Sequence, residues 1–238
     1  MTEADWLAGT DLREMLKALN AGGLLSERKA RLFAAACCRR VFPLMLDRRS
    51  WHAVTVCELY ADGLTSQRAL AAARAEAGEV ARALEVAPVS LERNKALAAA
   101  RAAHAAARPT GKRPALVNEV RQVADAALMA AMIGRLSSRI HIESVLPQCQ
   151  FLRCILGNPF RPATVSPAWR TPQVVDLAQA AYDQRELPAG TLDVARLAIL
   201  ADALEDAGCD QADILEHLRR LGPHVRGCWV VDLLLGKE

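Results

Sequence analysis

Aromatic residues are scarce in this chain of 238 residues: they make up 4% of it, although hydrophobic residues make up 52%. Glycine (13) and proline (11) are too few for a collagen-like or low-complexity chain, and the apolar content is too high for a disordered one. Alanine contributes the largest part of the apolar share, and it favours helices while adding little buried area per residue. The composition therefore predicts helices that pack closely through small side chains.

Long hydrophobic runs are also missing. A membrane-spanning helix needs about twenty consecutive apolar residues, and the most apolar stretches, such as 126–133, are short and flanked by charge. The opening residues, MTEADW, hold acidic side chains where a secretory leader would hold basic ones. We therefore expect a cytoplasmic protein with no membrane partner, whose seven cysteines are buried thiols rather than disulfides.

The common catalytic signatures do not occur. The sequence holds no G-x-S-x-G, no glycine-rich phosphate-binding loop and no H-E-x-x-H. Asp202 and Asp206 lie one helical turn apart, but an acidic run on an amphipathic helix is typically its solvated face. We therefore assign no catalytic residue and no cofactor, and favour a non-catalytic protein over an enzyme.

Helical periodicity extends through most of the chain. Apolar residues recur at spacings of three and four, and no segment shows the sustained alternation of a strand. The last apolar run, 228–235, is interpreted as a helix for the same reason. Residues suited to helix N-caps precede several of these patterns: Ser26, Asp47, Ser90, Thr171 and Asp210. The sequence predicts an all-α fold, either an irregular helical bundle or a short solenoid-like array of antiparallel helices, with a Pro-rich extended connector.

The connector divides the chain into regions of opposite charge. Residues 158–172, NPFRPATVSPAWRTP, contain four prolines that forbid a continuous helix. Residues 1–157 carry 22 Lys/Arg and 15 Asp/Glu, whereas residues 158–238 carry 8 and 12. We expect a basic, Ala-rich helical body (1–157), the connector (158–172) and an acidic C-terminal helical subdomain (173–238) packed on the body.

Several strings in the sequence are specific enough to compare with a family. They are MTEADWLAGTD, RKARLFAAACCRR with YADGL after it, LGNPFRP, and LAILADALEDAGCDQADILEHLRRLGPHVRGCWVVDLLLGKE. With them the chain resembles a family of planctomycete proteins that has no assigned activity. The ADALEDAG stretch is also distantly similar to the repeat-companion domains of the same bacteria. The resemblance implies no catalytic role, and a companion of repeats favours an interaction module.

A protein-interaction or adaptor module is the leading functional hypothesis, with a protein partner of unknown identity. Arginine and aromatic residues dominate interface hot spots. Two groups of such residues lie in or beyond the connector: Phe160, Arg161 and Trp169, and then His224, Arg226 and Trp229. The alternative interpretation is that the tryptophans only attach the connector and the last helix to the core.

Nucleic-acid binding is the second hypothesis. The region from Ser26 to Arg49 concentrates positive charge, and a helix face of such residues can follow phosphates. The moderate pI of about 8.5 and the lack of a groove-reading motif argue against it. The residues concerned are Arg28, Lys29, Arg31, Arg39, Arg40, Arg48 and Arg49.

A metal site is the third hypothesis. Cys209, His217, His224 and Cys228 offer four thiol or imidazole ligands within about twenty residues, the set that zinc prefers. Such a site would belong to a zinc-stabilised domain or to a metal-dependent enzyme. The alternative is a buried Cys209, a surface His217 and a core Cys228.

Overall fold

The computed structural model describes residues 1–108, 113–134 and 138–237. Over these residues the chain forms twelve α-helices and no strand, so the prediction of an all-α helical bundle is confirmed. Two isolated bridges link Glu186, Thr191 and Val225. The helices are α1 (Glu3–Ala8), α2 (Leu12–Gly22), α3 (Glu27–Arg40), α4 (Arg48–Ala61), α5 (Gln67–Val86), α6 (Leu91–Ala106), α7 (Arg113–Met132), α8 (Ser138–Leu156), α9 (Pro172–Asp183), α10 (Val194–Asp206), α11 (Ala212–Arg219) and α12 (Trp229–Leu235).

Side-chain caps set most of the helix starts. Ser26, Asp47, Ser90 and Thr171 each accept a hydrogen bond from a backbone N–H in the first turn, as predicted. The prediction for Asp210 was wrong, because α11 begins one residue further on, after Gln211, whose side chain makes no capping bond. Helices α1 and α2, for which no start was predicted, are capped by Thr2 and Asp11.

Helix α3 occupies the centre of the body. It packs against α4, α6, α7 and α8, while α4, α5, α6 and α7 pack on one another in chain order. Close approach is possible because the buried positions of α3 and α6 are mostly small: Ala30, Ala34, Ala35, Ala36, Cys37 and Cys38 on α3, and Ala96, Ala99, Ala100, Ala102, Ala103 and Ala106 on α6. The main hydrophobic core is continuous from Trp6 to Leu234.

The connector, residues 158–172, is irregular apart from a short 3-10 turn at Pro167–Trp169. Beyond it, α10 packs on α9 and α11, and α12 packs on α9, α11 and α8 of the body. Within the described ranges, no helix combines the length and the apolarity that crossing a bilayer requires.

A buried ion cluster at Glu58 attaches the segment after α9 to the body. Glu58 lies on α4 and is 3% exposed. Arg39 of α3 donates Nε and an Nη to its two carboxylate oxygens at 2.6 Å each. Arg185 donates two Nη groups to the same oxygens at 2.9 and 2.6 Å. Two forked guanidinium groups therefore share one carboxylate in the interior.

A second buried cluster forms one turn further along the chain, at Asp62, just after α4. Arg28 of α3 donates Nε to Asp62 at 2.9 Å and both Nη groups to Asp232 of α12 at 2.5 and 2.9 Å. Arg226 donates Nε to Asp62 at 2.6 Å, and the Tyr182 hydroxyl donates to Asp232 at 2.5 Å. The cluster thus joins α3, α4, α9 and α12 in one hydrogen-bonded network.

We expect Glu58→Gln to lower the free energy of unfolding by about 3–5 kcal/mol at pH 7, because it leaves one buried and one half-buried arginine, Arg39 and Arg185, without a counter-charge. Burial raises the pKa of Glu58, but Arg39 and Arg185 outweigh it and hold the pKa below the ordinary 4.5. The stabilisation is therefore complete above pH 4.5 and is lost as the pH falls through the lowered pKa.

Urea denaturation of wild type and Glu58→Gln between pH 7 and pH 3 measures this dependence. The difference between the two proteins should shrink in acid. Glu85→Gln is the control, because Glu85 forms an exposed pair with Arg101 at 2.8 Å and should cost less than about 1 kcal/mol. Equal costs for the two substitutions would contradict the role given to Glu58.

Candidate metal centre

Four metal-ligating side chains meet where the C-terminal helices contact the body. They are Cys154 in the last turn of α8, His217 on α11, His224 in the loop before α12, and Cys228 at the N-cap of α12. Their ligand atoms all lie within 4.8 Å of one another, and all four residues are buried. We call this set the Cys/His cluster.

The spacing of the Cys/His cluster is close to that of a tetrahedral zinc site. With Zn–S bonds of about 2.3 Å and Zn–N bonds of about 2.0–2.1 Å, ligand atoms of such a site lie about 3.3–3.8 Å apart. The His217 Nε2 atom lies 3.2 Å from the Cys228 sulfur, and the His224 Nδ1 atom lies 3.9 Å from the Cys154 sulfur. The widest separations need to contract by about 1 Å, a movement within reach of side-chain torsions.

Hydrogen bonds outside the cluster orient two of the ligands. His224 Nε2 lies 3.1 Å from the Arg220 carbonyl, a contact that requires a proton on Nε2 and leaves the Nδ1 lone pair directed at the cluster. The Val225 N–H donates to the Cys154 sulfur at 3.4 Å, a bond that favours the thiolate. These are the outer contacts that metal-binding histidines and cysteines commonly make.

Because the Cys/His cluster is buried, its net charge determines how much free energy the site costs. Burial raises the pKa of Cys228 to about 11 and lowers the pKa of His217. Burial also opposes ionisation of Cys154, but hydrogen bonds from Cys228 and from the Val225 N–H outweigh it and lower the pKa of Cys154. Two thiolates, two neutral imidazoles and one Zn²⁺ have a net charge of zero. Such a set costs less free energy to bury than one that carries a net charge.

The sequence-based ligand set differs from the Cys/His cluster at one position. His217, His224 and Cys228 come together as the third hypothesis requires, but Cys209, buried in the loop after α10, is not among the four grouped residues. Cys154 takes that place, 63 residues before His217. No local spacing marks Cys154 as a ligand, because only the fold brings α8 beside the loop that holds His224.

A cleft of about 620 Å³ adjoins the Cys/His cluster, and His217 contributes to its wall. It is bounded by α1, the end of α8, the start of the connector and α11. The Trp229 ring lies over His217 with a centroid distance of 5.1 Å and also lines the cleft. The cluster thus meets the wall of the cleft at His217, beside Trp229.

The predicted interaction residues occupy four different environments. Arg161 and Trp229 line the cleft, and Arg161 pairs with Glu3 at 2.8 Å. Phe160 is exposed, while Trp169 is half-buried and packs against the core. The remaining two have internal partners, since His224 belongs to the Cys/His cluster and Arg226 binds Asp62.

The predicted nucleic-acid residues do not form one exposed basic face. Arg31 and Arg39 are buried, and Arg28 and Arg39 belong to the two ion clusters already described. Arg31 donates to Glu27 and to the Arg108 carbonyl. Arg49 is exposed but pairs with Asp47 and Glu79. The other members are Arg48, which is exposed, and Lys29 and Arg40, which are half-buried.

No family model, no curated protein and no solved structure matches this chain. The resemblance to the planctomycete family therefore stays a prediction. What the Cys/His cluster can do follows from its own geometry.

A substitution at Gly157 tests how much the position of Trp229 beside the cluster contributes to stability. Gly157 ends α8 with φ +69°, and a Cβ at this position would lie 3.1 Å from the Trp229 ring. We expect Gly157→Ala to destabilise the protein in two ways, by the left-handed backbone, about 1–2 kcal/mol, and by displacing Trp229 from His217.

Gly63→Ala is the matched control, because Gly63 has φ +70° and a Cβ there would have open space around it, with no contact within 4 Å among the described residues beyond its chain neighbours. Thermal unfolding should show a clearly larger loss for Gly157→Ala than for Gly63→Ala. Equal losses would mean that the contact with Trp229 contributes nothing.

Proposed function

We propose that this chain is a non-catalytic helical interaction module whose C-terminal helices are fixed to the body by one structural zinc ion. The ligands are Cys154, His217, His224 and Cys228. The observation that carries the proposal is the convergence of these four buried ligand atoms, from distant parts of the chain, within 4.8 Å.

A structural role fits the cluster better than a catalytic one. Catalytic zinc sites keep one coordination position open for water or substrate, whereas structural sites use four protein ligands. The Cys/His cluster supplies all four, and Cys154 and Cys228 are completely buried. A bound ion would have no position left for a reacting molecule.

The location of the cluster indicates what the ion would stabilise. One ligand comes from α8 of the body, and the other three come from α11, the following loop and the start of α12. An ion that binds only the folded state stabilises it by mass action. Zinc would therefore hold the C-terminal helices on the body, beside the cleft lined by Arg161 and Trp229.

Of the two binding hypotheses, the protein-interaction module has more support than nucleic-acid binding. Arg161 and Trp229 lie together at one concave surface, as a recognition site requires. The basic residues of the 26–49 region are instead divided among buried ion pairs, exposed ion pairs and separate surface positions.

Metal analysis of protein purified without chelator tests the proposal. We expect one zinc ion per chain, and a Co²⁺-substituted protein with the absorption of a tetrahedral thiolate complex. Cys154→Ser should abolish both signals. Cys209→Ser is the matched control, because Cys209 is also a buried thiol but lies outside the cluster.

Each outcome of this comparison has a distinct meaning. Zinc lost in Cys154→Ser and kept in Cys209→Ser supports the cluster. Zinc lost only in Cys209→Ser would support the ligand set predicted from sequence instead. Wild-type protein that takes up neither Zn²⁺ nor Co²⁺ on titration would overturn the proposal.

A further inference from the structure

The cleft beside the Cys/His cluster has the size of a ligand site. Its volume of about 620 Å³ falls within the range of small-molecule pockets, about 300–1,000 Å³. Trp6 and Trp229 contribute to its walls, together with two arginines, Arg153 and Arg220. Arg161 also lines the cleft, but it pairs with Glu3.

Arg153 is held rigidly at the cleft. Its Nε donates to the Trp6 carbonyl at 2.7 Å, and one Nη donates to the Gly9 carbonyl. Both acceptors are neutral carbonyls, and no side chain in the described ranges forms an ion pair with Arg153. These hydrogen bonds therefore fix the orientation of the guanidinium group, while no carboxylate among the described residues balances its charge.

Arg220 supplies a second such charge in the same cleft. It follows the last residue of α11, is exposed, and pairs with no carboxylate in the described part of the chain. Burial lowers the pKa of Arg153, and the nearby charge of Arg220 lowers it as well. Both guanidinium groups line the same cleft, so two like charges lie within one concave site.

We infer that Arg153 and Arg220 together bind one oxyanion group, a carboxylate or a phosphate, of a ligand that enters this cleft. Guanidinium groups bind both kinds of oxyanion through charge-assisted N–H bonds. Nε and one Nη of Arg153 are already bonded to carbonyls, and the other Nη makes no hydrogen bond within the described residues. An anion between them would replace their repulsion by two charge-assisted interactions. The inference goes beyond the zinc proposal, because neither arginine is a ligand of the cluster.

The other charges of the cleft limit what this ligand can be. Glu3, Asp213 and Glu216 also line it, and Glu3 already pairs with Arg161. Three carboxylates would repel further negative charge, so a polyanion such as a nucleic-acid strand does not fit. The site suits a molecule with a single anionic group, whose remaining part lies against Trp229, since Trp6 is fully buried behind the wall.

Nuclear magnetic resonance of the indole N–H groups can locate the binding. The chain has four tryptophans; Trp6 and Trp229 line the cleft, whereas Trp51 and Trp169 are not among its lining residues. Titration of the full-length protein with inorganic phosphate, and separately with acetate, should shift the Trp6 and Trp229 signals. Chloride at equal ionic strength should not.

Arg220→Gln should weaken the binding at least about tenfold, since it removes a charge-assisted contact at an exposed position. Arg219→Gln is the matched control: it is the adjacent exposed arginine, but it pairs with Asp202 and Glu205 outside the cleft, and it should leave the affinity unchanged. A response to phosphate alone or to acetate alone identifies the oxyanion.

Three results would overturn the inference. They are no response of the Trp6 and Trp229 signals to either anion, shifts spread equally over all four tryptophans, and equal losses of affinity in Arg220→Gln and Arg219→Gln. None of these results bears on zinc content, which is measured separately, so failure here leaves the metal proposal standing.

Discussion

Two carboxylates one helical turn apart, Glu58 on α4 and Asp62 at its end, fix the position of the C-terminal third. Their side chains are almost fully removed from water, and an ionised carboxylate is stable there only with counter-charges and hydrogen bonds. Arg185 and Arg226 of the C-terminal third supply part of these. The chain that follows the connector therefore supplies counter-charge to two buried carboxylates of the body, in addition to Arg39 and Arg28 of the body itself, and this couples the two regions beyond their apolar contact.

The Cys/His cluster also joins the body to the C-terminal helices, at another part of the junction between these two regions. Cys154 of the body faces three ligands from the C-terminal helices, as Glu58 and Asp62 face arginines. In each case a polar group that is costly to bury alone is completed by a partner across the junction. Zinc would complete the Cys/His cluster. The cleft lies beside this cluster, between α1 and α11.

Much of the fold could be predicted from sequence because caps and apolar periodicity are local signals. Ser26, Asp47 and Thr171 begin helices for reasons visible within four residues. The cluster could be predicted only in part. His217, His224 and Cys228 are near one another in the chain, whereas Cys154 is distant in sequence and is brought to them by the packing of α8. The environment of the basic residues of 26–49 was the least predictable, because some of their partners are distant in the chain: Glu58 lies 19 residues from Arg39, and Asp232 lies 204 residues from Arg28.

The coordination of the bound metal tests the central claim most directly. X-ray absorption at the zinc edge of the purified protein should show two sulfur neighbours at about 2.3 Å and two nitrogen neighbours at about 2.0–2.1 Å. A shell of oxygen and nitrogen without sulfur would contradict the account, because it would place the metal away from Cys154 and Cys228.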